Sequence, residues 1–134
     1  MRVNDGRAIP NFLNQSLNNK NFTVYGDGSQ TRSFCYIDDL IKGVTRLIDV
    51  DYQNPINLGN PQECSIIELI ELIKEINPSS SKISFFDLPE NDPKVRNPDI
   101  TLAKKLLNFN PNTSLKDGLV KTLEYFKNYN YKFD

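Results

Sequence analysis

Histidine is absent from the 134-residue sequence, and its absence removes several kinds of active site. Without an imidazole the sequence holds neither a Ser-His-Asp triad nor a Cys-His nucleophile, and a His-ligated zinc site is excluded. Cysteine is scarce, since only Cys35 and Cys64 occur, and they show no metal-ligand spacing. Each is predicted to be a reduced, structural thiol.

Long apolar runs and an excess of one charge are also missing. No stretch approaches the roughly 18 apolar residues of a membrane span, and residues 1–4 lead into polar sequence without a signal-peptide core. Lys and Arg number 16 against 17 Asp and Glu, so the net charge of −1 gives no general attraction to nucleic acid or anionic membranes. We expect a cytoplasmic protein with neither partner.

Apolar periodicity predicts helices that alternate with short strands, which is an α/β pattern. The first predicted helix covers about 10–18, and the second runs from a cap at Asp38 or Asp39 to about 50. The third begins at a Ser65–Glu68 capping box and ends at about 76. The fourth runs from Asp99 or Thr101 to 107, and the fifth begins at a Ser114–Asp117 cap. Predicted strands cover 22–25, 34–37, 55–58 and 83–86, followed by an extended loop over 87–98. With 38% hydrophobic residues, the whole chain 1–134 is expected to form one domain.

The stretch from Thr23 to Ile37 carries the most informative local pattern. Gly26-Asp27-Gly28 predicts a turn between two extended segments, and the simplest interpretation is a β-hairpin. The turn is not a dinucleotide fingerprint, because the third glycine would fall at Thr31 and no helix is predicted to follow. Arg32 lies just past the turn, where backbone N–H groups and a guanidinium could converge on an anion such as a diphosphate.

Several motifs, taken in order, resemble one enzyme family. They are N-D-G-R at 4–7, V-Y-G-D-G-S-Q-T-R-S-F, Y-I-D-D-L, I-N-L-G-N-P and D-P-K-V-R-N-P-D-I. Together they resemble the C-terminal half of extended short-chain dehydrogenase/reductases that act on nucleotide sugars, and most of all the UDP-glucuronate decarboxylases, also called UDP-xylose synthases. The resemblance implies an α/β substrate-binding part that lacks the N-terminal Rossmann half, with its glycine-rich loop and Tyr-x-x-x-Lys pair.

The resemblance implies that two arginines bind the UDP diphosphate. Arg32 and Arg96 would each present a guanidinium fork, whose charge-assisted planar contacts lysine could not reproduce. Arg96 would also lie close enough to the sugar for a role in proton delivery or charge stabilisation at decarboxylation. Asp99 would accept hydrogen bonds from the ribose, and a helix N-cap role is equally compatible with its position.

The resemblance also implies contacts to the base and the sugar. The backbone at Thr23, Val24 and Tyr25 would lie beside the uracil, and the Tyr25 ring would either face the base or pack within the hairpin. Arg7 would line the substrate pocket, either at the sugar carboxylate or at the rim.

The implied reaction begins when bound NAD oxidises the C4 hydroxyl of the sugar; the β-keto acid then loses CO₂ and the same hydride reduces the ketone. An N-terminal half, in cis or as a separate chain, would hold NAD, so this chain alone would bind a UDP-sugar but no cofactor or metal, and would not be catalytically competent.

A 4,6-dehydratase or 4-epimerase, and a non-enzymatic nucleotide-sugar-binding or assembly module, remain alternatives. In the fold that the resemblance implies, the helix 40–48 and the strand 55–58 pack on the missing half, so its absence would leave apolar surface uncovered and predicts a homo-oligomer.

Overall fold

The computed structural model describes residues 6–90 and 93–128, so the N-D-G-R motif is described only from Gly6, and the loop 87–98 only in part. The helices are α1 (Ala8–Leu17), α2 (Ile37–Ile48), α3 (Ile66–Ile76), α4 (Thr101–Leu107) and α5 (Leu115–Asn128). The strands are β1 (Phe22–Tyr25), β2 (Thr31–Ser33), β3 (Glu63–Ser65) and β4 (Ile83–Phe86). Short strands and helices alternate, as predicted. Among the described residues, no helix is long and apolar enough to cross a bilayer.

The four described strands form two separate two-stranded sheets. β1 and β4 are parallel, with Phe22 opposite Ile83, whereas β2 and β3 are antiparallel, with Arg32 opposite Cys64. The predicted hairpin is therefore wrong, because β1 and β2 are consecutive in sequence but lie in different sheets. Pairing with β4 leaves Phe22 and Val24 fully buried in the core, a tertiary choice that strand propensity does not express.

Two further strand predictions are wrong in position. Residues 55–58 form no strand; they are an irregular segment whose Ile56 and Leu58 side chains pack against a small apolar cluster. The strand expected at 34–37 lies at 31–33 instead, and Ile37 already begins α2. β3 was not predicted, because a three-residue strand is defined by its hydrogen-bonded partner rather than by its own composition.

Two hydrophobic clusters hold the elements together. The larger joins α1, β1, α3 and α5, and its buried members are Phe12, Leu13, Phe22, Val24, Cys64, Ile66, Leu69, Ile70, Ile73, Leu119, Leu123 and Phe126. The smaller lies between α2 and α4 and contains Ile100, Ala103, Leu107 and Phe109. Each fully buried Leu, Ile or Phe side chain contributes roughly 1.5–3 kcal/mol relative to exposure.

The predicted caps of α3 and α5 are confirmed. The Glu68 N–H donates to Ser65 Oγ at 3.2 Å, and the Ser65 N–H donates to Glu68 Oε2 at 2.8 Å, which completes the capping box. The Ser65 N–H and the Ser65 hydroxyl both donate to the Glu68 carboxylate, and these two hydrogen bonds lower the pKa of Glu68. At the start of α5 the Asp117 N–H donates to Ser114 Oγ at 3.0 Å.

Both cysteines are unpaired thiols, as predicted. Burial raises the pKa of the Cys64 thiol to about 11, with a smaller contribution from the Glu68 carboxylate. Burial and the nearby Asp39 carboxylate also raise the pKa of Cys35. Neutral thiols are poor nucleophiles and poor metal ligands, so both side chains act as small packing groups.

The prediction that Asp38 or Asp39 caps α2 is wrong, because both residues lie inside the first turn of the helix. The N-cap is Tyr36, which makes no side-chain capping bond. The Asp39 carboxylate is only 2% exposed and accepts from the N–H groups of Asn112, at 3.1 Å, and Thr113, at 2.8 Å. Burial alone would raise the pKa of Asp39, but these hydrogen bonds and one from Lys42 outweigh it, so the pKa is lowered. Asp39 thus ties α2 to the loop before α5.

We expect Asp39→Ala to lower the free energy of unfolding by about 1–3 kcal/mol at neutral pH, because two N–H groups lose their buried acceptor. The lowered pKa means that the carboxylate stabilises the fold above its unfolded pKa of about 3.9, and this contribution disappears as the pH falls through the folded value. Urea unfolding followed by circular dichroism should therefore show the difference between wild type and variant shrinking in acid. Asp38→Ala, at the exposed neighbour, is the control; an equal loss in both variants contradicts the assignment.

Candidate functional site

One edge of β1 is faced by two amide side chains of α1. Asn11 Nδ2 and Gln15 Nε2 donate to Thr23 Oγ1 at 3.1 and 2.9 Å, and the Thr23 N–H donates to Gln15 Oε1 at 3.1 Å. Gln15 therefore binds both the hydroxyl and the main chain of Thr23. Val24, the next residue, points into the core and is fully buried.

Asn11 and Gln15 are not among the site residues that the sequence predicts. Both lie on α1, four residues apart, which places them on one face of the helix. Gln15 is buried, like Phe12 and Leu13 before it. Only Asn14 separates it from these two residues in the sequence. A polar side chain at a position predicted to be buried needs hydrogen-bond partners, and that requirement is the signal that could have found it.

Tyr25 offers the open aromatic surface of β1. Its side chain is 49% exposed, and its ring lies 6.0 Å from the Phe86 ring of β4 at an interplanar angle of 47°. The Tyr25 carbonyl accepts from Gln30 Nε2 at 2.7 Å, which holds the turn that follows against the end of the strand. Tyr25 packs against β4 rather than within a hairpin, and half of its surface still faces solvent.

The Gly26–Gly28 turn packs against the start of α3. Both glycines have positive φ, 67° at Gly26 and 77° at Gly28, as the predicted turn requires. The Ile67 N–H donates to the Gly28 carbonyl at 3.3 Å, and the Ile66 N–H donates to the Gln30 carbonyl at 3.2 Å. Together with the capping box of Ser65 and Glu68, these bonds satisfy all four N–H groups that lack a partner within the helix at the start of α3.

β2, which carries Arg32, lies beside residues 94–97, which carry Arg96. The Thr31 N–H donates to the Lys94 carbonyl at 2.9 Å. The Glu63 carboxylate accepts from Thr31 Oγ1 at 2.5 Å and from Asn97 Nδ2 at 3.1 Å, so it contacts both segments. Arg32 is half-buried and its Nη1 donates to the Thr31 carbonyl at 2.8 Å, while Arg96 is exposed. The fold thus brings the two arginine-bearing segments together.

Asp99 lies directly before α4 and binds its first turn. The Thr101 N–H donates to Asp99 Oδ1 at 2.9 Å, and Asn57 Nδ2 donates to the Asp99 carbonyl at 3.3 Å. Hydrogen bonds from Thr101, and to a smaller extent the charge of Lys104, lower the pKa of Asp99. The N-cap of α4 is Ile100, so the helix N-cap interpretation of Asp99 is wrong: its carboxylate accepts from the N–H two residues further along, in an Asx turn that leads into the helix.

Arg7 lies in a different place from the other predicted site residues. It lines a cavity of about 660 Å³ between the segment around Phe34–Leu40 and α5. The hydroxyl-bearing residues Tyr36, Thr113, Ser114, Thr122 and Tyr125 also line this cavity, together with Lys121, whose Nζ lies 5.0 Å from the centre of the Tyr36 ring. Thr23, Val24, Tyr25, Arg32, Arg96 and Asp99 are not among its lining residues.

The residues that the structure describes do not form a dinucleotide or metal site. The Gly26–Gly28 turn leads into β2, whereas a Rossmann phosphate loop leads into a helix whose N-terminus faces the pyrophosphate. Within residues 6–90 and 93–128, no group of three His, Cys, Asp or Glu side chains could hold a metal ion. The described residues therefore offer candidate anion-binding side chains, and the Gly26–Gly28 turn does not fit a Rossmann phosphate loop.

Comparisons with known proteins agree with this combination of features. Residues 2–59 match the NAD dependent epimerase/dehydratase family. UDP-glucuronic acid decarboxylase 1 of Xenopus tropicalis is 46% identical over 127 residues, which cover 95% of this chain and 30% of the relative. The protein of the same name from Arabidopsis thaliana is 44% identical over 128 residues, or 96% of this chain and 29% of the relative. This chain is therefore similar to the NAD dependent epimerase/dehydratase family over residues 2–59, and to UDP-glucuronic acid decarboxylases over nearly its whole length.

Solved structures of the family confirm the predicted fold class. The UDP-glucuronic acid 4-epimerase of Bacillus cereus, solved in complex with UDP-glucuronic acid and NAD, superposes with a TM-score of 0.85 at 33% identity. The match covers 92% of this chain and 40% of the epimerase. The chain thus has the α/β fold of one part of an extended short-chain dehydrogenase/reductase. It spans about 30% of the length of the two decarboxylases.

We expect Gly28→Ala to destabilise the fold more than Gly26→Ala. Both substitutions force an L-residue into positive φ, at a cost of roughly 1–2 kcal/mol. At Gly28 the new Cβ would also lie 2.7 Å from Ile67, whereas at Gly26 its nearest contact would be the exposed Leu88 side chain at 3.3 Å. Thermal unfolding of the two variants measures the difference; equal melting temperatures would show that crowding against α3 is unimportant.

Proposed function

We propose that this chain is the UDP-sugar-binding part of an NAD-dependent UDP-glucuronate decarboxylase, a carbon–carbon lyase that makes UDP-xylose. The main support is the contact of β2 with residues 94–97, made by the hydrogen bond from the Thr31 N–H to the Lys94 carbonyl at 2.9 Å. That contact brings Arg32 and Arg96 to neighbouring segments. The sequence identity of 46% to a UDP-glucuronic acid decarboxylase supports the choice of reaction.

Arg32 and Arg96 are proposed to bind the diphosphate. Two neighbouring guanidinium groups repel one another unless an anion lies between them, and each can donate two parallel hydrogen bonds to phosphate oxygens. The chain as a whole carries a net charge of −1, so any affinity for an anion must come from such a local arrangement. A diphosphate, with charge on both phosphates, suits two forks better than a carboxylate does.

The remaining substrate contacts are proposed around this pair. Thr23, Val24 and Tyr25 would lie beside the uracil, with the half-exposed Tyr25 ring as the surface on which the base rests. Asp99, ionised and next to the Arg96 segment, would accept from the ribose hydroxyls. Arg96 is further proposed to stabilise charge or deliver a proton at decarboxylation.

Arg7 is proposed to line the sugar end of the pocket. Its cavity is separate from the other predicted contacts, so the proposal requires another part of the protein to complete the pocket between them. NAD is proposed to bind to that other part, a dinucleotide-binding half present in cis or as a separate chain. The chain alone, a single domain over 1–134, would then bind UDP-sugars in the cytoplasm without catalysing the reaction.

One face of α2 supports the need for such a partner. Ile37, Ile41, Val44 and Ile48 follow one another at helical spacing and are 54, 53, 44 and 80% exposed. A row of large apolar side chains on a helix face is typical of a surface that packs against another domain or chain. We propose that the dinucleotide-binding half covers it, and that the chain without that half self-associates through it.

A second candidate reaction is 4-epimerisation of UDP-glucuronate. The observation in its favour is the match to the UDP-glucuronic acid 4-epimerase of Bacillus cereus at 33% identity. Both reactions use the same substrate, so binding does not separate them. Release of CO₂ from UDP-glucuronate by the chain joined to its dinucleotide-binding half supports decarboxylation, whereas formation of UDP-galacturonate without CO₂ supports the epimerase.

We expect calorimetry to show that the chain binds UDP and UDP-glucuronate more tightly than dTDP-glucose. Arg32→Ala and Arg96→Ala should each weaken UDP binding by about 10- to 100-fold, because each removes charge-assisted hydrogen bonds to a phosphate.

Lys105→Ala, which removes an exposed cation on α4, is the control and should leave UDP affinity unchanged. Absence of binding to every nucleotide would contradict the proposal and favour a non-enzymatic assembly module. Equal weakening by the control would show that the effect depends on net charge alone.

We expect the chain by itself to scatter light as an oligomer and to bind a hydrophobic dye. The double substitution Ile41→Asn and Ile48→Asn should reduce both signals, because it places polar amides on the apolar face of α2. Thr45→Asn, at an exposed polar position of the same helix, is the control. A wild-type monomer that binds no dye would contradict the predicted self-association.

A further inference from the structure

Glu63 lies where three segments of the candidate site meet. It belongs to β3, opposite Ser33 of β2. Its Oε1 accepts from Thr31 Oγ1 at 2.5 Å, and its Oε2 accepts from Asn97 Nδ2 at 3.1 Å. One carboxylate therefore contacts the strand that carries Arg32 through one oxygen and the segment that carries Arg96 through the other.

Neither arginine-bearing segment is rigid by its own local structure. β2 has three residues, and residues 94–97 belong to no helix or strand. The main-chain bond from Thr31 to Lys94 joins them at one end, and Glu63 adds a second tie at Asn97, three residues further along. Two ties at separate points fix the orientation of the segment as well as its distance.

We propose that Glu63 is a positioning residue, which sets the separation of Arg32 and Arg96 so that both guanidinium groups reach one diphosphate. This inference rests on the proposed function. Side chains that are held in the geometry of the bound state lose less conformational entropy on binding, so the tie increases affinity without contacting the ligand. A carboxylate suits this position because both of its oxygens accept; an amide has only one accepting oxygen.

Electrostatics and positioning predict opposite results for Glu63→Gln. The substitution removes a negative charge close to the segments of two arginines, and by charge alone it would tighten the binding of an anion. If Glu63 positions the arginines, the variant instead binds the diphosphate more weakly, because the amide nitrogen cannot accept: one charge-assisted hydrogen bond is lost, and the Thr31 hydroxyl can only reverse to form a weaker neutral one. The direction of the change therefore decides between the two explanations.

The experiment measures UDP and uridine binding to the 134-residue chain by NMR titration. Glu63→Gln should weaken UDP binding by about tenfold, as expected for the loss of one hydrogen bond to a charged group, and should leave uridine binding unchanged. Amide exchange at Thr31 should become faster in the variant, a readout that needs no ligand. Glu71→Gln is the matched control, since Glu71 is an exposed glutamate of α3 that pairs with Lys74 at 3.3 Å.

The outcomes separate this inference from the proposed function. If Arg32→Ala and Arg96→Ala leave UDP affinity unchanged, or if the wild-type chain does not bind UDP, the proposed function fails and the positioning role fails with it. If the arginine variants weaken UDP binding while Glu63→Gln preserves or tightens it, only the positioning role is overturned. Equal weakening of UDP and uridine by Glu63→Gln would show a general loss of structure and would also overturn it.

Discussion

The arrangement of this chain depends on the sharp change of direction at Gly26–Gly28. Positive φ at both glycines lets the chain leave the parallel sheet of β1 and enter the antiparallel sheet of β2 within a few residues. The carbonyl groups of Gly28 and Gln30 accept the first N–H groups of α3, so this core helix holds the turn in place. β1 can then be buried, while β2 lies at the surface beside residues 94–97.

Two carboxylates accept hydrogen bonds from segments distant in sequence, and so join elements that the short strands do not connect. Asp39 binds two N–H groups of the loop before α5, and Glu63 binds side chains of β2 and of the segment that carries Arg96. Because each carboxylate has two oxygens, a single side chain can join elements that no sheet connects. Asp39 is buried and contributes to stability, whereas Glu63 is exposed and is better suited to orient neighbouring groups for a ligand.

The described residues suit the substrate-binding role that we propose for this chain. Arginines, an ionised aspartate and an open tyrosine ring suit recognition of a nucleotide sugar, yet the glycine turn does not fit a dinucleotide and the described chain holds no metal cluster. The exposed apolar face of α2 is typical of a surface that packs against another domain or chain. The chain also spans only 30% of the length of the related decarboxylase. Binding energy from the nucleotide would be used here to place a sugar against a catalytic centre held elsewhere.

By itself, the sequence determined what local rules control: the amphipathic helices, the capping box at Ser65, the glycine turn and the motifs that resemble one enzyme family. Tertiary structure decided what depends on partners distant in sequence. It placed β1 beside β4 instead of β2, left 55–58 without strand pairing among the described residues, and turned Asp39 from an expected cap into a buried tie. The physical reason is that strand pairing and buried hydrogen bonds draw their stability from the partner, and the identity of that partner is not encoded in local propensity.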